Sequence, residues 1–200
     1  MGTRMEHDVL ASELQEYERQ FAAINQDANA LLGDLSERQL EWREEATSWS
    51  IGDCVNHLVV TGNQSLFHVR SAIIAARSKG TLGAGPFRHP LAGKLLILLM
   101  DAPPRVRFKA PRAYRPAQYR TVSDVLAAFW VLQNELAHAL REANGVDLAR
   151  VKVTNPVSNW FKLTLGQEFA FTAAHERRHL WQAWRVRDKL LAIRKVESGN

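Results

Sequence analysis

The residues best suited to chemistry lie near the C-terminus, in the run His175-Glu176-Arg177-Arg178-His179. Two histidines four positions apart on a helix share one face, about 40° apart, so both imidazoles can reach one cation. A polar stripe extends from them: Glu168, Thr172, His175, His179 and Gln182 lie on that face. A second stripe surrounds His57. Asp53, Thr61, Gln64 and His68 fall within about 40° of it, with Ile51, Val55, Leu58, Leu66, Val69 and Ile73 roughly opposite. On spacing alone, the His175/His179 pair reads equally well as two metal ligands or as part of a solvated face. For His7, His68, His89 and His138, each standing alone, the solvated face is the reading.

The pentapeptide also has the His-Glu-x-x-His form of zinc hydrolases, in which Glu176 would be the general base. Its context opposes that reading. Such enzymes need a further ligand downstream, and only Asp188 and Glu197 follow His179 among acidic residues, on the same helix or the terminal tail. No sheet pattern precedes the helix.

Positioning these side chains takes helices, and the sequence carries start signals for them. Ser36/Gln39, Ser50/Asp53, Thr121/Asp124 and Thr164/Gln167 each place a hydroxyl at a possible N-cap and an acceptor three residues later. The runs they head predict helices over about Ser36–Trp42 (a short turn), Ser50–Arg77, Val122–Ala143 and Thr164–Ile193, after a first helix over about His7–Leu32. Leu91–Met100 is ten residues long and contains Lys94. A bilayer span needs about 20, so this segment reads as a short buried helix. The alternating segments Val106–Lys109 and Val151–Val153 are short and close to prolines, and Gly80–Pro90 and Asn155-Pro156 read as loops. The prediction is an all-α chain, an antiparallel four-helix bundle with one long crossover over Gly80–Arg120.

Composition bounds the rest. Two hundred residues form a single domain over residues 1–200, able to bury about 70% of the unfolded surface without a metal or disulfide. A hydrophobic fraction of 46% and a charged fraction of 24% are those of a globular chain. Cys54 is the one cysteine, which excludes an intrachain disulfide framework and a Cys-rich zinc module. Arg4, Glu6 and Asp8 stand where a secretion signal needs an apolar run, so a cytoplasmic protein is expected.

The net charge of +5 is local. Arg105, Arg107, Lys109, Arg112, Arg115 and Arg120 share one segment with no acid, and outside it 20 basic residues face 21 acidic ones. That balance argues against a nucleic-acid partner, although Phe108, Tyr114 and Tyr119 interleave the patch. Two readings remain beside it: a solvated loop, or a loop over the site in which Arg112 and Arg115 grip an anionic group of the substrate.

The segment Trp49-Ser50-Ile51-Gly52-Asp53-Cys54-Val55-Asn56-His57-Leu58 is preceded by Leu35–Leu40 and Trp42 and followed, over a hundred residues later, by His175-x-x-x-His179 and Gln182. In this order the motifs resemble the DinB-like (DinB/YfiT) superfamily, over Leu35 to about Val186. The resemblance implies a four-helix bundle, often dimeric, with a divalent ion, zinc or nickel foremost, held by His57, His175 and His179. It implies a metal-dependent enzyme, expected to be a thiol-dependent transferase or a hydrolase, acting on a small molecule. Several members of that superfamily are transferases or isomerases that use thiols such as bacillithiol or mycothiol. A metal-binding stress protein without catalysis is one alternative, and a basic, nucleic-acid-associated binding protein is the other.

A ligating histidine usually donates its other ring N–H to an acceptor. Asp53, one turn before His57, and Gln182, one turn after His179, are candidates. Capping competes for Asp53 and solvent for Gln182. Cys54 reads as a core residue, Trp49 as a staple at the helix entry, and Trp160, Trp181 and Trp184 as packing in the core or at a dimer interface.

Overall fold

The computed structural model describes residues 9–106, 114–116, 121–154 and 162–198. Its elements are α1 (Ser12–Leu32), α2 (Glu37–Glu41), α3 (Ile51–Ser78), α4 (Leu91–Met100), α5 (Val122–Glu142), the two-residue strands β1 (Lys152–Val153) and β2 (Leu163–Thr164), and α6 (Leu165–Ser198). The two strands pair antiparallel just before α6.

The helix starts follow the capping chemistry. The Asp53 amide donates to Ser50 Oγ at 3.0 Å and the Ser50 amide to Asp53 Oδ2 at 2.8 Å, which satisfies two otherwise orphaned donors at the head of α3. The Gln167 amide donates to Thr164 Oγ1, and the Thr164 amide to Gln167 Oε1, at 3.2 and 3.3 Å. Because Thr164 also ends β2, the strand runs directly into α6. The Ser36 amide donates to Gln39 Oε1 at the head of α2, and the Asp124 amide to Thr121 Oγ1 at the head of α5.

Helices α1, α3, α5 and α6 pack their apolar faces around one core. Leu14, Phe21 and Leu31 of α1 meet there with Ile51, Val55 and Leu58 of α3, Phe129, Leu132 and Leu136 of α5 and Phe169 and Leu180 of α6. The directions follow from who meets whom. His57 faces His175 and Ser65 faces Glu168, so α3 and α6 run antiparallel. Arg70 pairs with Glu135 and Glu142, and Arg77 donates to the carbonyls of Glu142 and Asn144 near the end of α5, so α3 and α5 run the same way. Two successive bundle helices that run the same way need a return path of about 40 Å, the length of a 28-residue helix. Residues 79–121 supply it.

Two expectations about that crossover are corrected. Helix α4 is present but not buried. Gly93 is its one buried residue, while Leu91, Leu95 and Leu98 are exposed. It lies against α6. There the Gln167 side chain fills the space a Cβ on Gly93 would occupy, and Gln167 Nε2 donates to the Pro90 carbonyl at 2.7 Å. His89 is not on a solvated face. Its Nε2 lies 2.8 Å from Glu13 Oε1 and its Nδ1 2.6 Å from Thr164 Oγ1, which ties the crossover to α1 and to the head of α6. Farther along, two Arg177 nitrogens grip the Asp101 carboxylate at 2.8 and 2.7 Å and a third donates to Gln20 at 3.0 Å. His138 is exposed and His68 half-buried, while His7 lies outside the described residues. Among the described residues no helix is long and apolar enough to cross a membrane.

Candidate metal centre

The amphipathic pattern of α3 sends Val55, Leu58, Val69 and Ile73 into the core and leaves the stripe around His57 facing α6. There the antiparallel arrangement joins His57 to the His175/His179 pair. One nitrogen from each of the three imidazoles lies within 4.8 Å of the other two. His57 Nε2 and His175 Nε2 are 3.2 Å apart. His57 and His179 are buried and His175 is half-buried.

The outward nitrogens are engaged. His57 Nδ1 donates to the Tyr114 carbonyl, and His179 Nδ1 donates to Gln182 Oε1 at 3.2 Å. With a proton on each Nδ1, both Nε2 lone pairs turn toward the centre. Two nitrogens bound tetrahedrally to zinc at about 2.0–2.1 Å stand about 3.3 Å apart. The observed 3.2 Å between His57 and His175 fits that span, so the cluster can hold a divalent ion. Trp49 walls one side, its ring centre 4.9 Å from His57 and 5.7 Å from His179, and Phe171 stacks on His175 at 6.1 Å.

Electrostatics favour the ligand form. Burial holds the His57 imidazole below its ordinary pKa of 6.5, against the pull of the Tyr114 carbonyl. Burial, the other two imidazoles and the Arg178 charge hold His175 well below it. Burial, with His57 and Arg178 adding to it, pushes His179 down to about 3. All three are neutral at pH 7, as metal binding requires. Arg178 is itself buried, with its guanidinium donating to the carbonyls of Leu99 and Val106, so its positive charge is fixed beside the cluster.

The other candidate residues separate. Gln182 sits where an acceptor for His179 is needed. Asp53 does not act in that way for His57. One carboxylate oxygen takes the Ser50 amide, and Arg43 pairs with both at 2.5 and 3.1 Å, so the carboxylate serves the helix cap. Arg115 is exposed, and Arg112 lies outside the described residues, as does Trp160. Cys54 is buried in the core, where loss of solvation raises its thiol pKa far above the ordinary value. Glu176 turns to α5 and accepts from Gln133 Nε2 at 2.9 Å, which removes it from any role as a base at the three histidines.

Tyr114 contributes through its backbone carbonyl, which no side-chain pattern could announce. Trp49 walls the cluster, although its place at a helix entry suggested a staple alone, and Phe171, one turn before His175, walls it without having been singled out by the sequence. The sequence signal that was available for Trp49 is its place directly before the cap of the helix that carries His57.

A family model described as the DinB superfamily matches residues 20–183, about four-fifths of the chain. No curated protein and no solved structure matches it.

Proposed function

The chain belongs to the DinB superfamily, and from that premise we propose that it is a metal-dependent enzyme. It holds one divalent ion between His57, His175 and His179 and acts on a small molecule with a low-molecular-weight thiol as partner. The observation that carries this reading is the set of three converging imidazole nitrogens, two of whose rings are fixed from behind by Tyr114 and Gln182.

An ion with three protein ligands keeps open positions, where it lowers the pKa of a thiol or water and polarises a carbonyl. The chain's own residues supply the rest. The Tyr114 carbonyl and the Gln182 amide oxygen set ring orientation and raise the basicity of His57 and His179. Trp49 stacks on His179 and Phe171 on His175, which restrains those two rings. The fixed charge of Arg178 favours an anionic group, such as a thiolate or carboxylate, next to the histidines.

The test is a thiol-consumption screen against electrophilic small molecules, run with zinc and with nickel, on the wild type and on His175→Ala. Turnover that needs both the metal and His175 supports the reading. Stoichiometric metal with no turnover across thiols and electrophiles favours the non-catalytic alternative.

A further inference from the structure

The polar seam between α3 and α6 does not end at the histidines. Two turns farther along α3, Ser65 Oγ donates to Glu168 Oε1 at 2.7 Å and stands 3.4 Å from Thr172 Oγ1. Glu168 precedes His175 by seven residues, about 10 Å along the helix axis. Only 6% of Glu168 is exposed, yet no lysine, arginine or histidine among the described residues pairs with it. Burial raises its pKa, opposed by the Ser65 hydroxyl alone. A buried carboxylate with one hydroxyl donor is costly unless a cation or further donors complete it.

Tyr114 links the two ends of the seam. Its carbonyl receives His57, while its phenol pKa is raised by burial and by the charge of Glu168. Gln64, Ser65, Tyr114 and His175 are all half-buried, so the seam opens to solvent between the histidines and Glu168.

We propose that Glu168 recognises an ammonium group on a small molecule whose other end binds at His57, His175 and His179. This rests on the metal reading above. The ligand is two-ended, with a metal-seeking thiolate at the histidines and a protonated amine against the carboxylate. The axial separation of about 10 Å calls for a spacer of a few carbon atoms between sulfur and nitrogen. Ser65 is a positioning residue that holds the carboxylate toward the seam.

The experiment loads the full-length protein with cobalt and titrates it with 3-aminopropanethiol and with 1-butanethiol, in which a methyl replaces the ammonium. The thiolate-to-cobalt absorption band reads the affinity. In the wild type, the aminothiol binds about tenfold tighter than butanethiol, the difference expected of a desolvated charge-assisted pair. Cysteamine, one methylene shorter, shows a smaller preference over 1-propanethiol, its methyl counterpart. Glu168→Gln abolishes the amine preference while cobalt stoichiometry stays at the wild-type value. Ser65→Ala reduces the preference, and it decides the matter if circular dichroism shows that Glu168→Gln does not fold. An unchanged preference in either folded variant, or no preference in the wild type, overturns the role of Glu168. Failure of the wild type to take up cobalt overturns the metal reading, and this proposal falls with it.

Discussion

Glu176 follows His175 in the chain but pairs with Gln133 across the bundle, where Gln133 Nε2 donates to Glu176 Oε1 at 2.9 Å. The two remaining oxygens, Glu176 Oε2 and Gln133 Oε1, are buried without partners. One proton on Glu176 Oε2 resolves both, because a carboxylic acid and a primary amide can join through two hydrogen bonds. Burial pushes the Glu176 pKa up to about 8, which keeps that proton in place at neutral pH. The helix carrying His175 and His179 is thereby fixed to α5 by a neutral pair rather than a charge.

The Glu176 pair predicts a pH dependence of stability. The folded-state pKa lies above the ordinary 4.5, so the unfolded chain releases this proton first. The contribution is whole below pH 4.5 and is lost as pH rises through about 8. Glu176→Gln retains both hydrogen bonds as an amide pair and has no proton to lose. Thermal melts should show the variant matching the wild type below pH 4.5, gaining on it progressively between pH 4.5 and about 8, and keeping that lead, a few kcal/mol at most, above pH 8. A variant that is less stable at every pH would contradict the neutral pair.

Gln182 and Asp53 should respond oppositely. Gln182→Leu removes the acceptor behind His179, and loss of such a partner typically weakens metal binding about 10–100-fold without unfolding the chain. Asp53→Ala removes the cap of α3 and the Arg43 pair, which costs about 1 kcal/mol or more of stability, with zinc affinity close to wild type. Competition titrations with a chelating dye, paired with urea melts, measure both.

Removing the metal should leave the helices standing. The core is apolar and contiguous without the histidines, so a chelator at pH 7 should leave the helical circular-dichroism signal largely intact. The metal-free protein should then be acid-sensitive. The three imidazoles have folded-state pKa values below the ordinary 6.5, so the unfolded chain takes up protons first as pH falls. Stability present above pH 6.5 is lost progressively below it, toward about 3 for His179. Substituting His179 by Gln should flatten that slope.

Much of the frame was legible because its causes are local. Ser50 with Asp53 and Thr164 with Gln167 announce the heads of α3 and α6, and the polar stripes on both helices follow from the 3.6-residue period. The meeting of His57 with His175, 118 positions away, has no local cause. Periodicity places each on a polar face but not the two faces together, and the resemblance to a family supplied that link. The exposure of Leu91, Leu95 and Leu98 was illegible for a related reason: an apolar helix does not say whether the chain provides anything to cover it. His89 looked solvated because its partners, Glu13 and Thr164, lie on opposite ends of the sequence. The Tyr114 carbonyl is backbone, and every residue carries one.

The central claim is that His57, His175 and His179 together hold one divalent ion, and elemental analysis tests it most directly. Wild-type protein incubated with zinc or nickel and then desalted should retain about one ion per chain. His57→Ala, His175→Ala and His179→Ala should each lose stoichiometric metal while keeping the wild-type circular-dichroism spectrum. A triple variant that retains the wild-type metal content, or a wild type that retains none, would contradict the account.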